Sequence, residues 1–286
     1  MSTWSGLRQT LVLSLAGFLD TDEARAEAVL WLEEGFGKSR AWIAANGTES
    51  VPFVMQAQIA AWLKRREIGE PWQLILGWTT FRGRRFKVTR DTLIPRPETE
   101  LAVEEALKLG RARGAARIVD IGTGSGIIAI SLALESPWPT AAVELSPAAL
   151  AVAKENAETL GARAAFFEGS LLDPLPDAFF ADGRALVVAN LPYVDPADAP
   201  GLQRELDFEP ASALFAADRG LALNKQLLRD ARARGACGIV LELGAGQGDE
   251  LAAFARASGW AASRIVKDWH GHDRVLVAER GGEVAR

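Results

Sequence analysis

The 286-residue chain is 49% hydrophobic and 24% charged, the balance of a soluble globular protein with room for two domains. Its net charge of −5 argues against a protein that holds nucleic acid through a basic face. The single cysteine excludes a disulfide framework, no long uncharged apolar run offers a membrane span, and no basic-then-apolar leader is present, so a cytoplasmic protein is expected.

Residues 1–72 read as a small helical bundle, with a substrate-binding domain as one possible use. A first helix over 4–18 carries Leu7, Leu11, Leu13, Leu15 and Phe18. Thr21 reads as the N-cap of a second, which Gly35 and Gly37 stop. Ser39 caps a short third helix that ends at Gly47. Pro52 opens a fourth, with Phe53, Ala57, Ile59, Ala60 and Leu63 expected inward and Lys64, Arg65 and Arg66 in its last turn.

The period then changes. Residues 73–92 read as a β-hairpin linker turning at Gly83. From 93 onward helices and strands alternate, with strands expected at 116–121, 140–144, 164–168, 185–190, 238–243, 261–267 and 273–279. Alternation of this kind predicts an α/β fold: a mostly parallel seven-stranded sheet covered on both faces. The last two strands are too close for a helix between them, so one of them should run antiparallel. Cys237 opens an apolar strand and reads as a core residue.

The strand at 118–121 leads into Asp120-x-Gly122-Thr123-Gly124-Ser125-Gly126 and then a helix. Glycines let the backbone turn tightly and approach a ligand, and the helix start offers free N–H groups. The spacing does not fit the dinucleotide pattern G-x-G-x-x-G, because position 127 is Ile. The acidic-x-G-x-G-x-G form resembles the first motif of S-adenosylmethionine (AdoMet) methyltransferases. Glu144 ends the next strand, about 20 residues past Gly122, where a carboxylate can accept both ribose hydroxyls. A second match, Glu242-x-Gly244-x-Gly246-x-Gly248, has too little chain after it to build a cofactor site and reads as a later turn of the same sheet.

The strand at 185–190 delivers Asn190 at its carboxyl end, followed by Leu191, Pro192 and Tyr193. This resembles the (Asn/Asp)-Pro-Pro-Tyr motif of methyltransferases that act on a nitrogen conjugated to a π system. A third stretch, Ile94-Pro95-Arg96-Pro97-Glu98-Thr99-Glu100, is similar to the signature segment of the release-factor glutamine methyltransferases, the HemK-type family. Arg65, Arg66, Gly69, Glu70, Pro71 and Gly77, then Phe208, Glu209, Pro210 and Leu214, then Asp268, Gly271, Asp273 and Arg274 extend the resemblance over nearly the whole chain. Leu191 departs from the family's first Pro, and Asn-Leu-Pro-Tyr also resembles ribosomal-RNA adenine dimethyltransferases.

The resemblance implies a Rossmann-like AdoMet-dependent methyltransferase domain that methylates the side-chain amide of the glutamine in the Gly-Gly-Gln motif of release factors. It implies a cofactor site at Asp120, Gly122, Thr123, Gly124, Ser125, Gly126, Glu144 and Asn190, with Ser170 and Leu171 near the adenine. Asn190, Leu191, Pro192 and Tyr193 would hold the substrate and carry the chemistry. The expected partner is a release factor, with no stable nucleic-acid binding, no membrane and a monomeric chain. An RNA adenine methyltransferase and a non-catalytic AdoMet-binding scaffold stand as alternatives; the charge opposes the first and the intact 190–193 motif the second. His270, His272, Asp268 and Asp273 crowd one short turn, too tightly for a tetrahedral metal site, and none is expected.

Overall fold

The computed structural model describes residues 2–281. The chain divides into two compact units, Met1–Gly77 and Trp78–Arg286. The first is helical: α1 (Trp4–Leu15), α2 (Thr21–Phe36), α3 (Arg40–Asn46), α4 (Phe53–Glu67) and a short α5 (Trp72–Leu76) that the sequence did not disclose. Its core is built from Trp4, Leu11, Trp31, Leu32, Ile59 and Trp62, with the Trp31 and Trp62 rings packed edge-on at 5.7 Å.

Three local expectations are corrected in this unit. The N-cap of α2 is Asp20, whose carboxylate accepts from the Asp22 and Glu23 N–H groups, and Thr21 is already helical. Gly35 lies within α2 and does not stop it: a Cβ there would stand 2.5 Å from the Trp62 ring, so glycine makes room for the indole, and Gly37 in the left-handed region ends the helix. The inward face of α4 is Ile59, Trp62 and Arg66, while Phe53 is 84% exposed and Ala57 and Ala60 face solvent. Arg66 is buried because its guanidinium pairs with the equally buried Glu27 at 2.9 Å.

The second unit opens with the hairpin β1 (Trp78–Phe81) and β2 (Arg84–Lys87), in antiparallel register from Trp78↔Lys87 to Phe81↔Arg84. Arg82 and Gly83 both have positive φ, which suits the right-handed twist of a two-residue hairpin. Phe81 and Phe86 turn inward and join the core under α6 (Thr99–Ala112). Arg82 and Arg84 both grip Glu135, at 2.7 and 2.6 Å, and hold its carboxyl below the usual range.

The sheet contains β3 (Arg117–Ile121), β4 (Thr140–Glu144), β5 (Ala164–Glu168), β6 (Ala185–Ala189), β7 (Gly238–Glu242), β8 (Ala262–Lys267) and β9 (Asp273–Glu279) in the order β5-β4-β3-β6-β7-β9-β8. β9 alone is antiparallel to its neighbours β7 and β8, as the short link between the last two strands requires. The helices α7 (Ile127–Glu135), α8 (Pro147–Leu160), α9 (Ala211–Leu214), α10 (Ala222–Ala233) and α11 (Gly248–Ala257) complete the unit. Alternate residues of β3 and β6 serve opposite faces. Val119, Val187 and Ala189 pack with Leu227 and Leu251, and Ile118, Leu186 and Val188 with Val103 and Ile130. Cys237 lies in the second of these layers, and burial pushes its thiol pKa up. The order reverses beside β3, so the carboxyl ends of β3, β4 and β6 frame a crevice of the kind in which open α/β sheets bind ligands.

Candidate active site

The glycine turn leaves β3 with the Gly122 and Thr123 N–H groups donating to the Val143 carbonyl of the adjoining strand, at 2.9 and 3.1 Å. Gly124 has φ +55° and a Cβ there would meet nothing within 4 Å, so the loop presents bare backbone to open space. Gly126 has φ +88°, and a Cβ would meet Ile130 at 2.8 Å, so glycine lets α7 start directly against its neighbours. Ser125 and Thr123 are buried, with side chains turned into the protein. The Ser125 carbonyl accepts from Asn156 Nδ2 at 2.8 Å, and the same amide exchanges hydrogen bonds with both main-chain groups of Lys87, at 2.8 and 3.0 Å. Asn156 therefore fastens the glycine turn to the hairpin. It escaped the sequence reading because an Asn inside a helix carries no sign of its distant partners.

Asp120 lies beneath the turn. Its Oδ2 accepts from the Thr123 hydroxyl at 2.5 Å and the Ala129 N–H at 3.1 Å, while Oδ1 is buried without a partner. Burial pushes its carboxyl up to about 7, against those two hydrogen bonds and with help from the charge of Glu144. Glu144, at the end of β4, accepts from the Gly124 N–H at 2.8 Å and the Ser146 N–H at 2.9 Å. The carboxylate expected to meet a ribose thus also braces the turn. An open glycine face, a carboxylate beside it and an orphaned buried acid oxygen below suit a cationic nucleoside cofactor.

Asn190 follows β6. Its Nδ2 donates to Thr99 Oγ1 at 3.3 Å, and its Oδ1 is buried with no partner. Leu191 is buried, and its Cδ2 lies 2.9 Å from where a Cβ on Gly122 would stand. The 190–193 loop therefore rests directly on the glycine turn. Tyr193 is partly buried; its phenol donates to Glu242 Oε1 at 3.3 Å, and its carbonyl accepts from Gln247 Nε2 at 2.9 Å. Burial and the Glu242 charge push the Tyr193 phenol above its ordinary pKa, so it stays protonated. A Cβ on Gly220 would lie 1.9 Å from the Tyr193 carbonyl, so only glycine lets that segment pass.

Glu242 belongs to the later glycine motif read as a mere turn. The strand order places β7 beside β6, and the carboxyl of Glu242, 1% exposed, reaches under the Asn190 loop. Burial pushes it up to about 7, opposed by the hydroxyls of Thr99 and Tyr193 and the charge of Arg274. The signal available was an acid at the carboxyl end of a buried strand; only topology could say which site it joins.

Other expected residues fall into distinct places. Ser170 is exposed beyond β5, whereas Leu171, in the left-handed region at φ 46°, turns its side chain into the core. Pro192 is partly exposed between Leu191 and Tyr193. Arg96 of the Pro-Arg-Pro segment pairs with Glu209, which also accepts from the Ile94 N–H at 2.7 Å, so two stretches noted separately in the sequence lock together. Asp268 closes the histidine turn by accepting from the His270 and His272 N–H groups at 2.9 and 3.0 Å, and it also pairs with Arg274.

A seven-stranded sheet with a glycine turn after β3, an acid at the end of β4 and Asn-Leu-Pro-Tyr after β6 defines an AdoMet-dependent methyltransferase. Residues 10–77 match the family described as the PrmC N-terminal domain, and residues 118–207 a methyltransferase domain family. A release factor glutamine methyltransferase of Bordetella pertussis is 40% identical over 257 residues, covering 88% of this chain and 93% of the relative. One of Salmonella typhimurium is 36% identical over 260 residues, covering 90% and 92%. The chain belongs to the release factor glutamine methyltransferase family. Among solved structures, the N-terminal domain of human METTL16 in complex with SAH superposes with a TM-score of 0.51 at 16% identity, covering 83% of this chain and 87% of that one, a likeness of fold.

Proposed function

We infer that this chain methylates the side-chain amide nitrogen of the glutamine in the Gly-Gly-Gln motif of peptide chain release factors. The observation that carries this reading is the seating of Leu191 on Gly122, which brings the Asn-Leu-Pro-Tyr loop against the cofactor turn. Gly122, Gly124, Gly126 and Glu144 would hold AdoMet, with Asp120, Thr123 and Ser125 shaping the turn from below and Ser170 and the Leu171 main chain lying toward the adenine, the Leu171 side chain being turned into the core. AdoMet supplies a methyl group already activated on a sulfonium.

The residues then have a narrow task. An amide nitrogen is a poor nucleophile because its lone pair is delocalised into the carbonyl. Asn190 Oδ1 and the Leu191 carbonyl each accept one amide N–H, which aims the nitrogen and steadies the positive charge growing on it. Asn190 Oδ1 is a buried acceptor without a donor, and the substrate provides one. Pro192 stiffens the loop, and Tyr193, its phenol tied to Glu242, packs on the amide plane. Alignment of this kind supplies ~7–11 kcal/mol of barrier reduction. No strong base is needed: once the C–N bond has formed and the C–S bond has broken, the amide nitrogen carries a positive charge, is very acidic and passes its proton to water.

We further propose a monomer that acts in the cytosol, with the helical unit available to engage the release factor; no helix among the described residues is long and apolar enough to cross a membrane. Labelled AdoMet offered with purified release factor, and separately with ribosomal RNA, tests the reading. Label on the Gly-Gly-Gln peptide by mass spectrometry is expected; label on RNA alone refutes it.

A further inference from the structure

The reaction proposed above, on which this inference rests, needs the Asn190 amide turned one way: oxygen toward the substrate, nitrogen toward the protein. The two ends of an amide have nearly the same shape, so the surrounding hydrogen bonds must choose. Thr99, the first residue of α6 and fully buried, meets the Asn190 Nδ2 with its Oγ1 at 3.3 Å. A hydroxyl that accepts there has its one proton left for another acceptor. The Thr99 hydroxyl also bears on the Glu242 carboxyl and favours its charged form. Glu242 Oε1 takes the Tyr193 phenol at 3.3 Å, and Oε2 is buried with no hydrogen-bond partner, an acceptor still open to a donor.

We propose that Glu242 is a positioning residue for methyl transfer: through the Thr99 hydroxyl it fixes which end of the Asn190 amide faces the reaction, and through its other oxygen it holds the Tyr193 ring. A carboxylate can only accept. It draws the Thr99 proton to itself, and the Thr99 oxygen then serves as acceptor for the Asn190 NH2. The outward end of the amide must be Oδ1, the orphaned acceptor. One carboxylate thereby orients both chemistry-bearing side chains of the 190–193 loop.

A proton on Glu242 reverses the choice. The acid O–H donates to Thr99, whose own proton swings to Asn190 and draws the amide oxygen inward. The NH2 group then faces a substrate amide that itself brings N–H donors, and two donors repel. The groups facing Glu242 pull in different directions. Arg274 on β9, Thr99 and Tyr193 favour the carboxylate, while Glu98 and burial favour the acid, and the result lies at about 7.

The test uses the full chain and three near-isosteric variants: Thr99→Val, Thr99→Ser and Glu242→Gln. Single-turnover methylation of release factor is followed from about pH 6 to pH 9, with AdoMet affinity by calorimetry and folding by thermal melting. Thr99→Val is expected to lower kcat ~10–100-fold with KM and AdoMet affinity within about twofold, because only the aim of the amide is lost. Thr99→Ser, which restores the hydroxyl, should recover most of that loss. The wild-type rate should fall on the acid side near pH 7, and Glu242→Gln, with no proton to gain, should be slow and flat across the range. A wild type that leaves release factor unmethylated overturns the proposed function and this role with it. An active wild type overturns the positioning role alone if Thr99→Val is equally fast, if Thr99→Ser is as slow as Thr99→Val, or if Glu242→Gln keeps the acid limb. Should Thr99→Val fail to fold, the Glu242→Gln profile decides.

Discussion

Replacing Asp120 by Asn should reveal a titration hidden beneath the cofactor turn. The Asp120 carboxyl is fully buried and is pushed from an ordinary 3.8 up to about 7. Between those values the folded chain keeps a proton that the unfolded chain has released. Stability therefore falls as pH rises through that window, by at most ~1.4 kcal/mol per pH unit. The full effect, on the order of 4 kcal/mol as an upper bound, is reached above pH 7. Asp120→Asn removes the buried charge while keeping an oxygen for the Thr123 hydroxyl and the Ala129 N–H. Its NH2 takes the place of the orphaned Oδ1 and finds no acceptor, a constant cost of ~1–3 kcal/mol. The stability of the variant minus that of the wild type should thus start negative near pH 4, climb through pH 7 and level off. Glu242, also held up to about 7, titrates in both chains and cancels from the difference. Denaturant unfolding of both proteins across this range measures the curve; a flat difference would mean that Asp120 ionises at its ordinary pKa and that the burial argument is wrong.

Glu144→Ala should weaken AdoMet binding by ~1–3 kcal/mol, since it removes a ribose acceptor and frees the Gly124 N–H that the carboxylate braces; an unchanged calorimetric Kd would take Glu144 out of the site. Gly124→Val should abolish cofactor binding, because a branched side chain is strained at φ +55° and projects into the open face of the turn, whereas Gly246→Val in the second motif should leave binding intact; equilibrium dialysis of the two variants decides between the motifs. Asn190→Ala should spare AdoMet affinity and lower kcat by ~10²–10³-fold, while Asn190→Asp should be milder; single-turnover methylation at the wild-type rate would reduce the motif to a turn. Leu191→Pro should keep the carbonyl and the activity but cost ~1–3 kcal/mol of stability by emptying the space over Gly122, measurable by denaturant melting.

Much of the architecture was legible because its signals are local. The buried strands are continuous β-branched or apolar runs, and the glycines at 122, 124 and 126 punctuate one turn. The Asn-Leu-Pro-Tyr segment and the Pro-Arg-Pro segment announced themselves by composition. What escaped depends on partners far along the chain. Glu242 looked like part of a decoy until β7 was seen to lie beside β6. Asn156 looked like an ordinary helix residue until its amide was seen between Lys87 and Ser125. In the helical unit, periodicity alone could not fix the phase of α4, since Phe53 and Ile59 are equally apolar and only the position of Trp62 against Gly35 chooses the buried face.

The three hydrogen bonds of Asn156 have a consequence for how this chain could be recombined with others. Two of them end on Lys87 in the hairpin and the third on Ser125 in the glycine turn. A shortened chain that begins at Trp78 retains all three, together with Phe81 and Phe86 in the core beneath α6. A chain that begins at 93 leaves the Asn156 amide facing the turn with its other partners gone and strips two aromatic rings from the same layer. The helices that precede Trp78 are thus the exchangeable module, and any natural or engineered graft of a different helical unit should find its seam in front of the hairpin, never behind it.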